Sequence, residues 1–140
     1  MIAIDTNVLL RYLLADDVSQ HKKAKTIIDN QSPVLITDVV LVETVWTLTG
    51  KRYGLDKSAV CTLVRALVGD GLFVFEDSQV LWSALRDYEE SKLVRGKALD
   101  FSDALIVNKA HFTAENKGFS LSAFYSFDKA TEQLKGAIKP

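Results

Sequence analysis

Short runs of apolar, mostly β-branched or aromatic residues alternate along this chain with longer segments whose apolar residues recur at helical spacing. Strands and helices that alternate in this way fold as crossover units, with a largely parallel sheet covered by helices. Met1–Ile4 is a short apolar run ending at Asp5, and Val8–Leu14 then carries enough apolar residues for a buried helix, with the junction at Asp5-Thr6-Asn7. Ser19 is the expected N-cap of a helix to about Asn30, built on Ala24, Ile27 and Ile28. Pro33 introduces a strand at Val34–Ile36, and Thr37 or Asp38 caps a helix that stops near Gly50 or Gly54. Asp56 or Ser58 starts another, ending near Gly69 before a strand at Leu72–Phe75. Asp77 or Ser78 begins a helix to about Ser91. After the loop Leu93–Leu99, a helix opens around Asp100–Asp103 and runs to about Glu115 with Gly118 as its stop. A last strand is expected at Ala123–Phe127 and a short helix after Asp128. No repeat or Pro-, Gly- or Ser-rich linker divides the sequence, so residues 1–140 are expected to form one domain, a three-layer α/β/α sandwich with a mostly parallel central sheet.

Composition narrows the function classes. A hydrophobic fraction of 48% with 25% charged residues excludes a disordered or collagen-like chain. The longest apolar stretch, Val39–Leu48, is interrupted by Glu43 and falls short of the ~20 residues that span a bilayer. The opening Met-Ile-Ala-Ile-Asp-Thr-Asn lacks a secretory pattern, so the N-terminus is expected to be the mature one. Cys61 is the single cysteine, which excludes an internal disulfide and a thiolate zinc cluster and suggests a cytoplasmic setting. His21 and His111 are the only histidines, and neither lies at a strand end.

In parallel α/β sheets the ligand crevice lies at the carboxyl ends of the strands. Asp5 and Asp128 fall at such ends, and Asp100 and Asp103 fall in the first turn of a helix. Each has a plain alternative reading as a helix cap, and the Asp100/Asp103 spacing is that of a capping box. Glu43 is the sole charge in Val39–Leu48, so it calls for a cation, a proton, a Lys or Arg partner, or an edge position reaching water. Several carboxylates at one crevice stay ionised together only around a multivalent cation. An oxygen-only donor set suits Mg²⁺ or Mn²⁺ rather than Zn²⁺, and such a centre suits phosphodiester hydrolysis without a side-chain nucleophile.

The sequence resembles the PIN-domain nucleases, and among them the VapC-type toxins of toxin–antitoxin pairs. The resemblance is carried by I-A-I-D-T-N-V-L-L at residues 2–10, V-L-V-E-T-V-W around Glu43, D-F-S-D-A-L-I at 100–106 and S-F-D at 126–128. It implies an acidic quartet of Asp5, Glu43, Asp103 and Asp128, both as metal ligands and as the catalytic set. Asp100 is then an auxiliary acid, Thr6 and Ser126 are hydroxyls that orient carboxylates or water, and Asn7 is the usual polar residue beside them. It further implies a Mg²⁺- or Mn²⁺-dependent endoribonuclease held inactive by a small antitoxin and commonly homodimeric.

With Asp5, Glu43, Asp100, Asp103 and Asp128 set aside, thirteen acids face seventeen bases, so the net charge of −1 conceals a basic remainder of +4. Arg95 and Lys97, just ahead of Asp100, are the best-placed phosphate contacts for RNA. Trp46, Tyr53, Trp82 and Tyr88 are candidate base-stacking groups, with packing in the core as the expected use. Leu10, Leu13 and Leu14 serve either the core or a surface for an antitoxin or second protomer. Two other classes fit parts of the pattern: a catalytically silent PIN-like module that binds RNA or protein, and a receiver-like phosphoacceptor domain, for which Asp38 and Lys129 offer only a weak imitation.

Overall fold

The computed structural model describes residues 1–140, which divide into two compact units, Met1–Ser78 and Gln79–Pro140. In the first unit the order is β1 (Ile2–Ala3), α1 (Thr6–Leu13), α2 (Val18–Asn30), β2 (Val34–Ile36), α3 (Asp38–Thr49), α4 (Lys57–Gly69) and β3 (Phe73–Phe75). The strands pair in parallel in the order β1-β2-β3, with Ala3 opposite Leu35 and Leu35 opposite Val74. Val34, Ile36, Phe73 and Phe75 are buried, as expected of short strands sandwiched between crossover helices.

That register positions the first part of the site. Parallel neighbours end at the same edge of a sheet, so the Asp5 junction after β1 and the Thr37 junction after β2 both lead into helices there. Asp5 and Thr37 are the N-caps of α1 and α3: the Asp5 carboxylate accepts the Val8 N–H at 2.8 Å and the Thr37 hydroxyl accepts the Val40 N–H at 3.4 Å. Helix α3 buries Leu41, Thr44, Val45 and Leu48, which recur at i, i+3, i+4 and i+7.

The second unit contains most of α5 (Ser78–Glu90), then α6 (Phe101–Asn116), β4 (Phe124–Tyr125), a 3₁₀ helix (Lys129–Gln133) and β5 (Ala137–Ile138). Strands β4 and β5 pair in parallel, Phe124 opposite Ala137. Phe101 is 2% exposed and meets Tyr88 edge to face, with centroids 6.0 Å apart, which fixes the first turn of α6 against α5. Further along, the Asn108 amide donates to Asp87 Oδ2 at 2.8 Å.

The α/β class and the parallel pairing are those the sequence implies. Three details differ. Helix α2 is capped by Asp17, not Ser19: the Asp17 carboxylate accepts the Gln20 N–H at 3.0 Å, and a carboxylate also complements the helix dipole. The strand expected at Ala123–Phe127 shortens to Phe124–Tyr125, and β5 was not anticipated, because two residues give no alternation to read.

Candidate functional site

The first unit contributes one acidic pair. Asp5 is held at its helix cap by one oxygen, and the next residue, Thr6, donates its hydroxyl to Glu43 Oε2 at 2.6 Å. This short charge-assisted bond joins the start of α1 to the middle of α3 and fixes the Glu43 rotamer. The sequence, with apolar residues on every side of Glu43, suggested a carboxylate in apolar surroundings. The structure corrects this: Glu43 is exposed, and its neighbours on the same face, Val39 and Trp46, are exposed too. Glu43 reaches water from its helix, with the Thr6 hydroxyl as its partner. Asn7, following Thr6, is exposed at the start of α1.

Asp100, Asp103 and Asp128 lie together in the second unit. Asp100 is the exposed N-cap of α6, and Asp103 reaches back to accept its N–H on Oδ2 at 3.2 Å, so the capping-box reading holds for this arm. Burial pushes the Asp103 carboxyl above the usual aspartate range; the Asp100 N–H and Lys97 oppose that shift, while the charges of Asp100 and Asp128 reinforce it. Asp128 caps the 3₁₀ helix through Oδ1, which accepts the Ala130 N–H at 2.9 Å, and its own N–H donates to the Ser126 hydroxyl at 3.0 Å. Burial raises the Asp128 carboxyl, but the Ala130 N–H and Lys97 outweigh it and hold the group below the usual range.

Lys97, a candidate phosphate contact, has its ammonium 3.1 Å from Asp128 Oδ2. It is delivered by a tight turn in which Val94 and Lys97 exchange both backbone hydrogen bonds, with Arg95 at φ 51° and Gly96 at φ 79°. Two successive positive φ values match the twist of a hairpin, and Arg95 is the only non-glycine residue in the left-handed region. Its cation stands exposed at the tip.

These side chains share one arrangement: each of Asp5, Asp103 and Asp128 uses one carboxylate oxygen to hold a helix start, and Glu43 uses one on Thr6. The donor chemistry is oxygen throughout. The His21 ring bonds the Arg11 carbonyl in the last turn of α1 and the His111 ring bonds the Lys135 carbonyl, so both histidines are committed to backbone. No group of three or more His, Cys, Asp or Glu side chains is gathered at metal-holding geometry.

The feature that sequence reasoning missed is the exposure of Trp46, which is 70% accessible although core packing was the expectation. The signal was present: residues 39, 43 and 46 fall on the face of α3 opposite the buried set 41, 44, 45 and 48. Tyr88 is buried as expected. No helix of the structure is long and apolar enough to cross a membrane.

A comparison with curated proteins finds no match. Among solved structures, the crystal structure of Mycobacterium tuberculosis VapC20, a sarcin-ricin loop cleaving toxin, is similar at 21% identity over 100% of both chains, with a TM-score of 0.41. The PIN domain family matches residues 2–136, a span that contains every acid described above, and the chain therefore belongs to the PIN domain family.

Proposed function

We propose that residues 1–140 act as one nuclease domain that hydrolyses RNA phosphodiester bonds with Mg²⁺ or Mn²⁺, as the VapC-type toxin of a cytoplasmic toxin–antitoxin pair. The observation that carries this reading is the Thr6–Glu43 bond beside Asp5, in a chain whose PIN match also spans Asp103 and Asp128. In each unit a carboxylate is held by one oxygen, which leaves the other for a ligand. Asp5, Glu43, Asp103 and Asp128 would hold the ion, with Asp100 auxiliary. When bound, a divalent ion supplies charge neutralisation at phosphoryl oxygens and lowers the pKa of water. The protein's own part is orientation. Thr6 fixes Glu43, Ser126 fixes the Asp128 backbone, and the exposed Arg95 grips a flanking phosphate.

Partner assignments follow from the same reading. A groove of about 190 Å³ lined by Asn7, Val8, Arg11, Lys23, Ala24 and Ile27 runs between α1 and α2. Its apolar floor and basic rim suit a segment of an antitoxin, and the active form is a homodimer. The PIN match replaces the receiver alternative. A silent RNA- or protein-binding module differs from the nuclease in one assay: a panel of structured and single-stranded RNAs incubated with Mg²⁺, Mn²⁺ or EDTA, with Asp5→Asn as control. Cleavage that needs both metal and Asp5 is expected. Metal binding without cleavage of any RNA, or cleavage that survives Asp5→Asn, overturns the nuclease reading.

A further inference from the structure

Helix α3 carries two exposed apolar residues, Val39 and Trp46, that neither the fold nor the acidic site uses. Val39 and Trp46 are 66% and 70% exposed, and Glu43 lies between them on the same face. Tyr12, Phe73, Tyr88 and Phe101 form ring pairs and Tyr53 carries the Arg52 guanidinium at 5.1 Å, but Trp46 takes part in none of these contacts. An indole left in water forgoes the burial that normally makes tryptophan worthwhile. Residues three apart on a helix have Cβ atoms about 5–6 Å apart, and helical side chains lean toward the N-terminal turn. A residue at 46 is thereby directed over the turn that carries Glu43.

We infer that Trp46 is the stacking platform for an unpaired nucleobase of the RNA substrate, setting the base next to the phosphate handled at Glu43; this rests on the nuclease reading above. A base fits this face of α3 better than a second copy of the chain does. A two-fold contact through this face would bring the Glu43 carboxylates into the interface and strip them of water. A nucleotide instead offers a π-face to the indole and a phosphate to cations, and the exposed Lys51 follows directly on the Gly50 cap of α3, beside Arg52, which pairs with Asp16 at 3.5 Å. Because every base has a π-face, Trp46 selects single-stranded over paired RNA without imposing a base sequence.

The test uses the full chain with Trp82→Phe, leaving Trp46 as the only indole, and Asp5→Asn to prevent turnover. A short single-stranded RNA and an abasic strand of equal length are titrated while strand anisotropy and indole emission are followed. The expected result is quenching of Trp46 by RNA but not by the abasic strand. Trp46→Ala should weaken RNA binding about 5- to 100-fold and leave abasic binding unchanged, with Trp46→Tyr restoring most of the affinity. RNA binding with unquenched Trp46 and equal affinity in Trp46→Ala overturns the inference and leaves the nuclease reading standing. Folded protein that binds no RNA at all overturns both. If Trp46→Ala turns a dimer into a monomer on sedimentation, and affinity falls only with dissociation, the face is a self-association surface and the inference fails.

Discussion

Replacing Thr6 by valine removes one hydroxyl and almost no volume, so it isolates the 2.6 Å bond to Glu43 from packing. Hydrogen bonds to charged groups contribute about 1.5–3 kcal/mol, but Glu43 is exposed and water substitutes for the lost donor. The expected loss of stability is therefore about 1 kcal/mol or less, a small shift of the urea midpoint. The catalytic consequence should be larger, because Glu43 would then sample several rotamers, and loss of a partner that orients a ligand typically costs about 10- to 100-fold in activity or metal affinity. Three proteins suffice: wild type, Thr6→Val and Thr6→Ser, compared by urea melts and by RNA cleavage over a Mg²⁺ titration. Serine keeps the donor and should retain most of the rate. Wild-type cleavage by Thr6→Val, or equal damage from serine and valine, would refute the orienting role of the hydroxyl.

Lys97→Met removes a cation 3.1 Å from Asp128, in a pair whose side chains are 58% and 25% exposed, so it should cost under about 1 kcal/mol of stability. It should also tighten Mg²⁺ binding about two- to five-fold by calorimetry, and weaker binding would show that Lys97 does not compete for that carboxylate. Arg95→Gly relieves a left-handed φ of 51°, so the urea midpoint should hold or rise while RNA affinity falls; a fall in both would mean that Arg95 mainly shapes the turn. Asp16 is raised by burial but lowered further by hydrogen bonds from Arg11 and Tyr53, and lies below the usual aspartate range. A depressed folded pKa contributes stability above the unfolded pKa and loses it as pH falls through the folded value. Asp16→Asn should therefore destabilise at neutral pH, and its melts should converge with wild type as pH drops below about 4, whereas a constant gap at every pH would refute the charge argument. Phe101→Ala should cost about 3–5 kcal/mol by urea melts and loosen the Asp100–Asp103 turn, and a loss under 1 kcal/mol would show that Tyr88 repacks.

Most of the helices were legible in the sequence because their starts are written chemically. Asp5 and Asp128 stand before helical segments and cap them, and of the paired candidates Thr37 or Asp38 and Asp56 or Ser58 the first of each is the cap. Where two residues of similar chemistry compete for a cap, as Asp17 and Ser19 do before α2, the sequence does not rank them. Two-residue strands are legible only where a β-type run extends beyond them, which is why β1 was found and β5 was not.

The acidic residues posed a question with two apparently competing answers, cap or ligand, and the capping geometry is compatible with both. A carboxylate has two oxygens, and a helix start asks for one of them. Asp5, Asp103 and Asp128 each use one on a backbone N–H, which fixes the side chain and points its remaining oxygen in a set direction. Glu43, in mid-helix, has no free N–H within reach, and Thr6 supplies the donor instead. The sequence could name the residues but not this division of labour, because it depends on the parallel register of β1 with β2, which brings the starts of α1 and α3 to one edge. Lys97 illustrates the same limit from the other side. Its position before Asp100 suggested a grip on phosphate, but two positive φ values at Arg95 and Gly96 fold its backbone back on Val94, and its ammonium lies on Asp128. On the nuclease reading proposed above, a phosphate approaching Lys97 meets a cation already paired with a carboxylate, so neutralising Asp128 would strengthen that cation's hold on substrate.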